Sequence, residues 1–146
     1  MIAAAFLFAA ATLSQRLTTA AEELLRIEKK IAGSHEGLDP VLYEDVLTLL
    51  DKAIEVDPQN LHAHARVGEV LLLRSDQGDG TFDICTILDA REEANYVLNH
   101  GAESSDQAIA RGVLRAIESI PPSAIPDPPS SCDGEERHHG SKTSTS

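Results

Sequence analysis

Tryptophan is absent from this 146-residue chain, and only three Phe and two Tyr supply aromatic bulk. A core must therefore be assembled from Leu, Ile, Val and Ala, side chains that suit packed helices. Cysteine is just as sparse. Cys85 and Cys132 are too few for a disulfide framework and lack the paired spacing of a zinc site. Both are expected as thiols in a reducing, cytoplasmic compartment, with Cys85 acting as a small buried hydrophobe. Basic residues are half as common as acidic ones, 12 against 24, for a net charge of -12. Split along the chain, residues 1–31 carry +1, residues 32–120 carry -11 and residues 121–146 carry -2. A field of that sign repels phosphate backbones, which argues against nucleic acid as a partner, and it steers in a basic protein surface.

Long apolar runs are missing too. The stretch from Met1 to Leu13 is apolar all round but falls short of the about 20 residues that cross a bilayer. It has the length of a signal-peptide core, yet no Lys or Arg precedes it and Thr18-Thr19-Ala20 is a poor cleavage site. The motifs of several enzyme classes are absent: a glycine-rich phosphate loop, a Gly-x-Ser-x-Gly elbow, a His-Glu-x-x-His pair. No catalytic residue, cofactor or metal site is expected. Asp76, Asp79 and Asp83 lack the alternating ligands and closing glutamate of a calcium loop. His62 and His64, two apart, point in different directions on a helix, and His138-His139 sits in a polar tail.

What is present is helical periodicity. Phe6, Ala10, Leu13, Leu17, Ala20, Leu24, Ile27 and Ile31 recur at alternating spacings of four and three, one stripe along a helix over residues 1–31. Glu22, Glu23, Arg26, Lys29 and Lys30 lie off that stripe. Such a stripe can pack on the rest of the chain, pair with a second copy as a coiled-coil homo-oligomer, or serve export or membrane attachment. Gly33 to Gly37 predicts a turn, and Asp39-Pro40 starts a second helix that buries Leu42, Val46, Leu49, Leu50 and Ala53 up to Pro58. A third helix is expected from Leu61 to Leu73 and a fourth from Phe82 to Leu98. The fourth carries Ile84, Ile87, Leu88, Arg91, Ala94 and Leu98 on one side, with Asp89, Glu92 and Glu93 facing solvent. Gly101 closes it in the left-handed conformation, and Ser104 with Gln107 offers a capping box for a fifth helix. Pro121-Pro122 stops that helix, and residues 121–146 have the composition of a disordered tail. The organisation is an N-terminal helix over 1–31, a helical domain over 39–120 and a tail over 121–146.

The junction Ala53-Ile54-Glu55-Val56-Asp57-Pro58-Gln59-Asn60, followed by Leu61 to Gly68, resembles the tetratricopeptide repeat. In that family a small residue and a proline close the second helix, and a glycine lies midway along the next first helix. Ala53, Pro58 and Gly68 match. Gly112 looks like the successor of Gly68, 44 residues on instead of about 34, with the Ser75–Thr81 loop and its flanks accounting for the excess. The resemblance implies an all-α fold of antiparallel helix-turn-helix pairs, a short α-solenoid or small helical bundle, that binds protein and is not an enzyme. The concave surface of the family, lined by first helices, would here include His62, Arg66 and Glu69 from the third helix. Asp106, Ile109 and Val113 would continue it from the fifth. The several basic residues with which some members clasp terminal carboxylates are missing, so the implied partner is a basic or apolar protein segment.

Overall fold

A computed structural model describes residues 2–32, 40–125 and 132. Five helices follow in order: α1 Ile2–Ala32, α2 Pro40–Val56, α3 Leu61–Ser75, α4 Ile84–Asn99 and α5 Ser104–Ser119, then a 3-10 turn at Pro122–Ala124. Among the described residues there is no strand beyond one isolated bridge between Asp76 and Phe82. The protein is an all-α helical bundle. None of the described helices is long and apolar enough to cross a membrane. The Gly33–Gly37 turn, Asp39 and the tail histidines lie outside the described residues.

Local chemistry sets the helix ends. The Asn60 side chain accepts from the Ala63 N–H at 3.0 Å and starts α3 after a junction of four residues from the end of α2. Phe82 stays outside α4 because its N–H donates to the Ala124 carbonyl. Asp83 caps the helix, accepting from the Cys85 N–H and from Thr86 Oγ1. Gly101, at φ 72°, closes α4 as expected. The capping box does not form. Ser104 is already helical, Glu103 holds the cap position through its backbone, and Gln107 Nε2 donates to the Ala102 carbonyl instead.

α1 packs on α2 and α3 on α4, while α5 closes against both α3 and α4. The core runs through Val46, Leu50 and Ala53 of α2, Val67, Val70 and Leu71 of α3, Ile87, Ala90 and Ala94 of α4, and Ala110 and Ile117 of α5. Gly68 decides how closely α3 meets α4. A Cβ there would lie 3.3 Å from the Ala90 carbonyl oxygen. At Gly112 a Cβ would meet nothing within 4 Å among the described residues, so no close approach depends on it.

Two helices are rotated from the expected orientation by about one residue. α1 buries Ser14, Thr18, Ala21 and Leu25, whereas Leu13 and Ile27 remain 48% and 46% exposed. The reason is polar. Ser14 Oγ donates to the Ala53 carbonyl at 2.8 Å, and Asn60 Nδ2 donates to Ser14 Oγ and Thr18 Oγ1, so small hydroxyl side chains satisfy the end of α2. In α4 the inward face is Thr86, Ile87, Ala90, Glu93, Ala94 and Val97, which leaves Leu88 exposed and corrects the solvent position expected for Glu93. Small residues opposite Gly68 win over the larger Leu88 because they allow the shorter interhelical distance.

The expectations for the cysteines and for the start of the tail are also overturned. Cys85 and Cys132 form a disulfide, with their Cα atoms 5.4 Å apart. Ala124 is buried and Ile125 packs against the core. The hydrogen bond from Phe82 to Ala124 anchors this segment beside the start of α4. Two backbone and packing contacts thus return the chain to Cys85, a long-range effect that composition does not carry.

Candidate functional site

α3 presents His62, Arg66 and Glu69 at spacings of four and three, which places them on one face. α1 sets Glu22 and Lys29 opposite them, and α5 contributes Asp106 from its first turn. His62 stands between two carboxylates, with Nδ1 2.6 Å from Asp106 Oδ1 and Nε2 3.0 Å from Glu22 Oε1. Both contacts are donations only when the ring carries both protons. Arg66 donates from Nε to Glu22 Oε1 and from a terminal nitrogen to Glu69 Oε2, each at 2.7 Å. Lys29 Nζ completes the chain at 3.0 Å from Glu69 Oε1.

The resulting order, Asp106, His62, Glu22, Arg66, Glu69, Lys29, alternates in sign with a protonated His62 and crosses from α5 through α3 to α1. Burial pushes the Glu69 carboxyl up, but the hydrogen bonds from Arg66 and Lys29 outweigh it and hold the group below its ordinary value. Burial likewise lowers Arg66, and the Glu69 and Glu22 carboxylates more than offset that, so it stays firmly charged.

Four of the residues expected on the concave surface are therefore gathered here: His62, Arg66, Glu69 and Asp106. Ile109 is half-buried and packs against the core. Val113 is a correction. It is 4% exposed and belongs to the core, because the stripe it shares with Ala110 and Ile117 is the one α5 turns inward. Arg66 and Glu69 serve to join α1 to α3, so replacing them would perturb that packing and not simply strip a surface.

At the Asp106 end of this network a cleft of about 690 Å³ opens between α1, the turn before α3 and the turn before α5. Glu22, Asp57, Glu103 and Asp106 bring carboxylates to its walls, and among the described residues His62 is the one imidazole and neither Lys nor Arg lines it. Thr18, Asn60 and Ser105 add neutral hydrogen-bonding groups. Sequence reasoning missed Glu22, Asp57 and Glu103. The one available signal was the His62/Arg66 pair, whose spacing on a buried helix calls for a carboxylate from elsewhere.

A second pair is buried between α3 and α4. His64 Nδ1 lies 2.7 Å from Glu93 Oε2, Nε2 faces the Pro58 carbonyl at 3.3 Å, and the ring packs on Tyr96. It ties the junction before α3 to α4. The three loop aspartates are each engaged locally. Asp76 accepts from the Gly78 N–H, Asp83 caps α4, and Asp79 accepts from Thr81 Oγ1 and N–H, which hold its carboxyl below the ordinary value.

Comparison of the chain with protein-family models, curated proteins and solved structures finds no match.

Proposed function

We propose that the protein is a binding module whose acidic cleft receives a basic segment of a protein partner. The observation that carries this reading is the cleft itself, whose walls hold four carboxylates and, among the described residues, no Lys or Arg. Low-dielectric walls lined by one sign of charge focus the field and raise the association rate of an opposite-sign segment. The surrounding acidic excess of residues 32–120 adds long-range attraction. We read the helices as a short tetratricopeptide-like array, supported by the pairing of α1 with α2 and α3 with α4, by α5 packing on α3, and by the close approach at Gly68. The role is binding without catalysis.

The test uses the full chain and two fluorescent peptides, one Lys/Arg-rich and one of the same length rich in Glu. The native protein is expected to bind the basic peptide, more weakly as salt rises, and to ignore the acidic one. Glu103→Lys changes an exposed wall residue whose side chain makes no cap hydrogen bond, so it should lower affinity with helicity unchanged. Equal affinity of native and variant protein for the basic peptide rejects the cleft.

One observation favours a second reading, that the protein is exported and works in an oxidising compartment. The Cys85–Cys132 disulfide persists where thiols are not kept reduced. Export of this fold requires that α1 be retained from Ser14 onward, because Ser14 and Thr18 bond the junction between α2 and α3. Thiol alkylation of the native protein, with mass spectrometry of its cell fraction, tests this directly. Two alkylated cysteines in a cytosolic fraction reject it.

A further inference from the structure

We infer that α1 joins two copies of this chain as an antiparallel, two-fold pair through the edge that its own fold leaves uncovered. The stripe noted in the sequence has strict heptad spacing. Ala10, Leu17 and Leu24 occupy one core position of the heptad, and Leu13, Ala20 and Ile27 occupy the other. Packing on α2 consumes a neighbouring face, Ser14, Thr18, Ala21 and Leu25, and covers Leu17 and Leu24 only in part. Leu13 and Ile27 are left about half exposed, with Ala20 exposed between them. A helix that needed only its own fold would not carry a second apolar seam one residue round from the buried one.

The occupant follows from register and charge. Antiparallel helices pair one core position with the other, so a two-fold axis between Thr18 and Thr19 sets Leu17 against Ala20 of the second copy and Leu24 against Leu13 of the second copy. The flanking position on the open side holds Arg16 and Glu23. In the same register Arg16 reaches Glu23 of the second copy, and the symmetry repeats the pair. A parallel pair would instead bring Arg16 against Ala21, which is already buried on α2. A shallow depression bounded by Thr12, Arg16, Thr19, Ala20 and Glu23 gives the large side chains room above Ala20. Long-range repulsion is also least here, since residues 1–31 carry +1 in a chain of net -12. The heptad positions from Ala10 to Ile27 span about 26 Å of helix, a short seam of the kind that associates reversibly.

Sedimentation of the full chain from low to high micromolar concentration tests the pairing. Native protein is expected to pass from monomer to dimer. Arg16→Glu and Glu23→Arg each replace two attractive contacts by two repulsive ones and should weaken dimerisation about tenfold. Mixed in equal amounts, the two variants should dimerise with each other as the native chain does, because between the two copies every new charge then meets its opposite; the Glu23–Arg26 pair within one helix is lost from the second variant alone or mixed. Both positions are exposed, and far-UV circular dichroism verifies that each variant is folded. A native chain that stays monomeric throughout, a variant that dimerises as tightly as native, or a mixture no tighter than its parts overturns the inference.

Discussion

The Cys85–Cys132 disulfide makes the sharpest stability prediction, because the rest of the bundle does not need Cys132 for packing. The bond joins residues 47 apart in sequence and encloses α4, α5 and the turn after them. Cross-linking limits the unfolded chain, and the loop-closure relation for 47 residues yields an entropy loss of about 14 cal/mol/K, hence about 4 kcal/mol at 25 °C. Cys132 is exposed, so Cys132→Ser removes no buried contact and its effect should come through the unfolded state. With a urea slope of about 2 kcal/mol/M, the midpoint should fall by roughly 2 M. The assay is urea unfolding followed by far-UV circular dichroism, with and without a dithiol reductant, on the native chain and on Cys132→Ser. Reductant should lower the native midpoint to that of the variant and leave the variant unmoved. Identical midpoints for oxidised and reduced native protein would refute the reasoning. So would two free thiols in protein purified without reductant.

Three further outcomes follow from the packing. Asn60→Ala removes both the cap of α3 and the donors to Ser14 and Thr18, and should cost about 1–2 kcal/mol in urea unfolding; an unchanged midpoint would reject the junction as the tie between α1 and α3. Gly68→Leu forces a side chain against the Ala90 carbonyl and should destabilise by about 1–3 kcal/mol. Gly112→Ala meets open space and should stabilise by about 0.5–1 kcal/mol, so the two melting temperatures should move in opposite directions. The Glu69 carboxyl is held below its ordinary value of 4.5. Its ion pairs therefore contribute fully above that pH and are lost as pH falls through the lower folded value. Thermal melts from pH 6 down to about pH 3 should show a steeper loss for the native chain than for Glu69→Gln, and parallel curves would rule this out.

Much of the helical framework was legible because its signals are local. Asn60 caps α3 beside the Asp57-Pro58 junction, Gly101 closes α4 as expected, and α5 begins at the expected serine. The capping box failed because Ser104 entered the helix and Gln107 found the Ala102 carbonyl, a choice between partners that spacing cannot rank. The candidate cluster was legible in part. His62, Arg66, Glu69 and Asp106 were named from α3 and α5, but Glu22 and Lys29, which join them, come from a helix 40 residues earlier. Val113 was misplaced because it shares one inward stripe with Asp106, Ala110 and Ile117, and only the first turn of that stripe reaches the cleft.

By itself the sequence determined an all-α protein, an aliphatic core and an acidic middle, since composition and a period of three to four residues express themselves within single helices. Tertiary structure alone decided which edge of each helix faces inward. In α1 the hydroxyls of Ser14 and Thr18 satisfy the turn before α3, and in α4 the small face opposite Gly68 permits the closest approach. Those gains depend on donors, acceptors and shapes on the neighbouring helix, and they outweigh the burial of Leu13, Ile27 and Leu88. The same long-range closure brings Cys132 to Cys85 and three helices to the rim of one acidic cleft.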